Sequence, residues 1–143
     1  MKTIFISVVF SLTAFSCNSN PTDENISQST SSTLVGQWLW RQASGGLTGN
    51  QVITPSANTR IIISFLADGR YSESRNDTLL VSSNYTIQKG KTIYSTDSLD
   101  VIVFQNTDIE KRVIFSITKD SLNVADNYYD GYGFIYTKVN YRR

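Results

Sequence analysis

The sequence predicts an all-β protein built as one small antiparallel β-barrel, and three observations carry that prediction. From Leu34 onward, short runs of β-branched and aromatic residues alternate with Gly, Asn and Asp at the regular spacing of antiparallel strands. No segment shows sustained helical periodicity. A sheet of many short strands must also protect its edges, and closing the sheet on itself is the arrangement that leaves none exposed.

Taken in order, Gly36 to Gln42 reads as the first strand, with Trp38 and Trp40 on one face and Leu39 and Arg41 on the other. The segment from Gly45 through Pro55 and Asn58 has no strand character and reads as a long, lid-like loop; Gly45-Gly46-Leu47-Thr48-Gly49 lacks the Lys-Ser/Thr of a phosphate loop. Arg60 to Ala67 turns through Asp68-Gly69 directly into Arg70 to Arg75 as a hairpin. Further strands are expected at Leu79 to Ser82, Asn84 to Gln88, Thr92 to Tyr94, Leu99 to Gln105, Arg112 to Thr118, Ser121 to Val124 and Gly133 to Val139. Alternation assigns interior faces to Ile61, Ile63 and Phe65, to Val101 and Val103, to Val113, Phe115 and Ile117, and to Phe134 and Tyr136.

The N-terminus has a different character. Lys2 precedes an apolar stretch from Ile4 to Phe15, and Ala14-Phe15-Ser16-Cys17 resembles the lipobox of bacterial lipoproteins. A run this short falls below the roughly 20 residues of a membrane-spanning helix. The resemblance implies a leader peptide over 1–16, lipid on Cys17 and an acylated, exported mature chain. Each buried methylene contributes about 0.8 kcal/mol, so several acyl chains would hold the protein on a bilayer. From Asn18 to Thr33 nearly every residue is polar, which predicts a flexible tether over 17–33 and a folded domain over 34–143.

Composition narrows the chemistry. Without Lys2, basic and acidic side chains are equal in number, and Arg41, Arg60, Arg70, Lys89, Lys111 and Arg142 are scattered among acids, so no nucleic-acid partner is expected. Histidine is absent and Cys17 is the single cysteine. Ser-His and Cys-His nucleophile pairs are therefore excluded, as is an intramolecular disulfide. No catalytic residue, metal site or cofactor is assigned, and the chain is read as a non-enzymatic protein.

Leu34-Val35-Gly36-Gln37-Trp38 resembles the Gly-x-Trp opening of lipocalins. Phe65-x-x-Asp68-Gly69-x-Tyr71, and Asp126 to Tyr132 leading into Tyr136, are similar to the hairpin and closing segment of lipocalin-like lipoproteins of Bacteroidetes. The resemblance implies an up-and-down barrel, anchored at the outer membrane through its N-terminal lipid and facing the periplasm or the cell surface. It also implies a cup for a small apolar or amphipathic ligand, with Val103 and Phe115 as lining residues. Trp38, following Gly36, would plug the closed end beneath a basic side chain of the last strand, for which Lys138 is the candidate by position and Arg142 the alternative.

A second reading keeps the barrel solid and makes it an interaction module. Tyr128, Tyr129 and Tyr132 lie in a Gly/Asp-rich turn, where exposed rings and hydroxyls suit an envelope protein or a glycan.

Overall fold

The computed structural model describes residues 30–109 and 111–140. The expected leader, Cys17 and the expected tether up to residue 29 lie outside the described residues. Nine strands follow in chain order: β1 (Gly36–Gly45), β2 (Gln51–Ile53), β3 (Ile61–Phe65), β4 (Arg70–Arg75), β5 (Thr78–Thr92), β6 (Ser95–Gln105), β7 (Arg112–Ile117), β8 (Ser121–Asp126) and β9 (Tyr132–Lys138).

From β3 to β9 each strand pairs antiparallel with the next, and β1 pairs with both β3 and β9. The sheet thus closes as an eight-stranded up-and-down barrel, as the sequence predicts, with β2 added beside the end of β1. Closure runs from Trp38 opposite Lys138 to Gly45 opposite Tyr132. It removes both edges that a flat sheet would offer to another chain.

The interior is a continuous apolar cluster in which Trp38, Ile63, Phe65, Tyr71, Ile102 and Leu122 are nearly inaccessible to solvent. Phe65 packs against Tyr71 and edge-on against Tyr85, with ring centroids 5.2 and 4.9 Å apart. These contacts join β3, β4 and β5 at the level where Asp68-Gly69 makes the turn. Gly69 sits there at φ 83°, a conformation that favours glycine.

Four sequence expectations need correction. The segment read as a strandless loop contains β2, held by the register Ala43–Ile53 to Gly45–Gln51. Leu79 to Ser82 and Asn84 to Gln88 form one strand, β5, because its first half pairs with β4 and its second with β6 across Asn84, while Ile93 and Tyr94 form the turn that follows. Residues 30–33, assigned to the tether, begin a short helix spanning 30–34 that sets fully buried Leu34 against the core.

The fourth correction concerns two faces. On β6, Ile102 and Phe104 join the interior cluster, so Val101 and Val103 point outward. On β7, Ile114 faces inward and Phe115 is the extra residue of a bulge between Ile114 and Ser116. That inserted step restores the inward direction at Ile117. Phe115 is left 50% exposed, its ring 4.8 Å from that of Tyr94.

The outward row Val101, Val113 and Ala125 is nevertheless buried. The far end of the β5–β6 hairpin lies against this side of the barrel. Tyr94 Oη donates to the Asp126 carbonyl at 2.7 Å, and the Asn127 side chain accepts from Ile93 N and donates to the Lys91 carbonyl. A small second core results, outside the barrel wall.

Candidate functional site

The barrel has a sealed floor, and Gly36, Trp38 and Lys138 build it together. Trp38 is completely buried, and its Nε1–H donates to the Leu34 carbonyl at 2.8 Å, tying the short helix beneath the barrel. Lys138 Nζ stands 4.1 Å from the Trp38 ring centroid and donates to the Val35 carbonyl at 2.6 Å and the Thr33 carbonyl at 3.4 Å. Burial lowers the pKa of Lys138 below its ordinary value, whereas the ring face and the carbonyls favour the ammonium. Gly36 completes the group at φ 134°; a Cβ there would lie 2.6 Å from Lys138 Nζ.

Above this floor lies a cavity of about 140 Å³, lined by Trp40, Ile61, Glu73, Arg112, Phe134 and Tyr136. Strand alternation explains how these side chains meet. Trp40 sits opposite Tyr136 across β1 and β9, two residues from the inward Trp38; Glu73 is two residues from inward Tyr71; Arg112 is two residues from inward Ile114. A bulge between Trp40 and Gln42 brings Ala43 back to face Phe134.

The cavity joins aromatic walls to a charged interior. Arg112 places its guanidinium carbon 4.3 Å from the Phe134 ring centroid, donates through Nη1 to Tyr136 Oη at 3.2 Å, and holds Nε 3.6 Å from Asp126 Oδ1. Both members of this ion pair are largely buried. Burial would lower the Arg112 pKa, but Tyr136, Tyr71, Asp126 and Glu73 outweigh it and keep the guanidinium charged. Burial also drives the Tyr71 and Tyr136 hydroxyls above the ordinary phenol value, so both stay protonated donors. Tyr71 Oη donates to Glu73 Oε2 over a long 3.4 Å.

Asp126 secures the neighbouring loop as well as Arg112. Its Oδ2 accepts from Tyr128 Oη at 3.2 Å and from the Tyr132 backbone N–H at 3.1 Å. Tyr132 Oη in turn donates to Gln51 Oε1 at 2.6 Å, linking β9 to β2. Of the three loop tyrosines, Tyr129 is 79% exposed and Tyr128, despite its bond to Asp126, 44%.

The structure therefore unites Gly36, Trp38 and Lys138 but separates the other expected contacts. Val103 and Phe115 lie on the outer side of the wall and do not line the cavity, and Tyr128 and Tyr132 are tied down within the chain. Sequence reasoning missed Arg112, Glu73 and Asp126 as interior groups. The available signal was parity: each charged residue shares the inward face of its strand with an apolar or aromatic neighbour two positions away. Comparison with family models, with curated proteins and with solved structures gives no match for this chain.

Proposed function

We propose that this chain is a non-enzymatic binding protein that holds a small, ring-bearing amphipathic molecule inside its barrel, tethered at the outer membrane by lipid on Cys17. One observation carries the binding reading: the cavity above the Trp38 floor combines three aromatic walls with polar groups in an otherwise apolar interior. Its volume selects the ligand size. A cavity of about 150 Å³ accommodates benzene, so about 140 Å³ suits one ring with a small substituent.

The polar lining supports binding over turnover. Arg112 is engaged by Asp126, Tyr136 and Phe134, and the Tyr136 hydroxyl in the cavity wall is held protonated, an arrangement that orients a guest and offers no activated nucleophile. Membrane tethering is supported by the order Lys2, apolar run, Cys17 in the sequence.

Each half has its own test. Ethylbenzene titrated into isotope-labelled protein should give saturable shifts at Ile61, Phe134 and Tyr136, and no shift at those residues would refute interior binding. Radiolabelled palmitate fed to expressing bacteria should label the chain and fail to label Cys17→Ala; equal labelling of the two would refute the anchor. The aromatic-loop reading has narrower support, because the hydroxyls of Tyr128 and Tyr132 are engaged within the chain.

A further inference from the structure

We infer that the outer wall carries a second binding site, separate from the barrel cavity, that takes a neutral saccharide through the side chains of Arg70, Asn84, Gln105 and Asn106.

The site is a dent of about 250 Å³ where β4, β5 and β6 meet, lined by Arg70, Ser82, Ser83, Asn84, Gln105 and Asn106. Strand register builds it. Arg70 lies opposite Asn84, and Asn84 opposite Gln105, which makes one row across the three strands. Their chain neighbours Tyr71, Tyr85 and Phe104 pack in the interior, so the row faces outward, and all three of its residues are exposed to solvent. Ser82, opposite Ser72, is exposed beside them.

The dent exists because two strands part there. Asn84 opposite Gln105 is the last rung between β5 and β6, whereas the first half of β5 stays paired with β4 back to Thr78. The Ser83 hydroxyl caps that rung by accepting from the Gln105 N–H at 3.2 Å. Asn106 then turns the chain away at φ 53°, a left-handed conformation that asparagine adopts more readily than most residues.

The lining defines the guest. Among the described residues, the side chains of Ser82, Asn84, Gln105 and Asn106 form no hydrogen bond with another residue. Carboxamides and a hydroxyl, each group both donor and acceptor, are thus open to solvent and to a guest. Sugar hydroxyls have the same double capacity, and two adjacent ones match the oxygen and nitrogen of one carboxamide. Arg70 adds donors, but Asp68 Oδ2 accepts from its Nε at 2.7 Å and balances its charge. An anion therefore gains little from this exposed pair. An aromatic guest finds no ring to stack on, and an apolar one would strip water from the amides without replacing it.

The test titrates the ¹⁵N-labelled full chain with methyl glucoside, methyl galactoside, methyl mannoside and inorganic phosphate, following the carboxamide signals of Asn84, Gln105 and Asn106. At least one glycoside should give saturable shifts there in the millimolar range while Trp40 and Tyr136 stay unmoved. Asn84→Ala and Gln105→Ala, both at exposed positions, should each weaken that glycoside about fivefold. Phosphate binding more tightly than every glycoside, shifts that grow without saturating, or an affinity unchanged in both variants would overturn the saccharide site. Interior binding stands or falls separately, on the ethylbenzene titration.

Discussion

Lys138 and Trp38 face each other directly across β9 and β1, with the lysine ammonium 4.1 Å from the indole centroid and hydrogen-bonded to the Val35 carbonyl. The pair converts the end of an open tube into a floor. The indole supplies the apolar seal, and the ammonium satisfies carbonyls where the chain enters the barrel. Position 36 favours glycine because its φ of 134° strains an L side chain and because a Cβ there would displace the lysine tip.

The relationship predicts a coupled response to mutation. Lys138→Met should cost about 1–2 kcal/mol by losing the cation–π contact and the charged hydrogen bond. Gly36→Ala should cost about 2–3 kcal/mol, from a strained φ and from displacement of Lys138. Combined with Lys138→Ala, the glycine substitution should cost less than the sum of the two changes, since the clash is gone. Urea unfolding of the four proteins measures this; strict additivity would mean the two residues act independently.

Stability should fall on the alkaline side. The folded pKa values of Tyr71 and Tyr136 are raised above the unfolded value near 10, so the native state holds protons that the unfolded chain releases. Their contribution is fully present below pH 10 and is lost as pH rises beyond it. Phenolate absorbance should therefore show two tyrosines that ionise only with unfolding. Replacing both with Phe should flatten the decline, as read from melting temperatures between pH 9 and 11.5.

The interior ion pair should be far more sensitive than surface pairs. Asp126→Ala leaves Arg112 without its carboxylate and removes the acceptor for Tyr132 N–H and Tyr128 Oη, for a loss of about 3–5 kcal/mol. Arg60→Ala breaks an exposed contact with Asp77 and should stay within about 0.5 kcal/mol. Chemical denaturation of the two variants side by side gives the comparison.

Adjacent residues on β6 should behave oppositely. Ile102→Ala empties interior volume and should cost about 2–5 kcal/mol, whereas Val103→Thr on the outer side should cost under about 1 kcal/mol. Differential scanning calorimetry distinguishes them, and the reverse ranking would place the strand in the other register.

The barrel itself was legible from alternation and turn chemistry. Asp68-Gly69 marks its hairpin at the observed position, Trp38 and Trp40 share one face as read, the inward one, and Phe134 and Tyr136 point inward as expected. What escaped the sequence has local physical causes. The bulge at Phe115 adds one residue to β7, and a period-two reading cannot show where such an insertion falls. Val101 and Val113 look like core because they are buried, but by the folded-back β5–β6 hairpin, whose contacts through Tyr94 and Asn127 are distant in sequence. Arg112 and Glu73 were missed as interior groups because their partners, Asp126, Tyr136 and Tyr71, assemble only when the sheet closes.

Interior occupancy is the central claim, and magnetic resonance titration of the full chain with ethylbenzene addresses it most directly. Saturable shifts confined to Trp40, Ile61, Phe134 and Tyr136, with Val103 and Phe115 unmoved, are the expected result. Shifts on the outer wall instead, or none at the solubility limit of the probe, would contradict it.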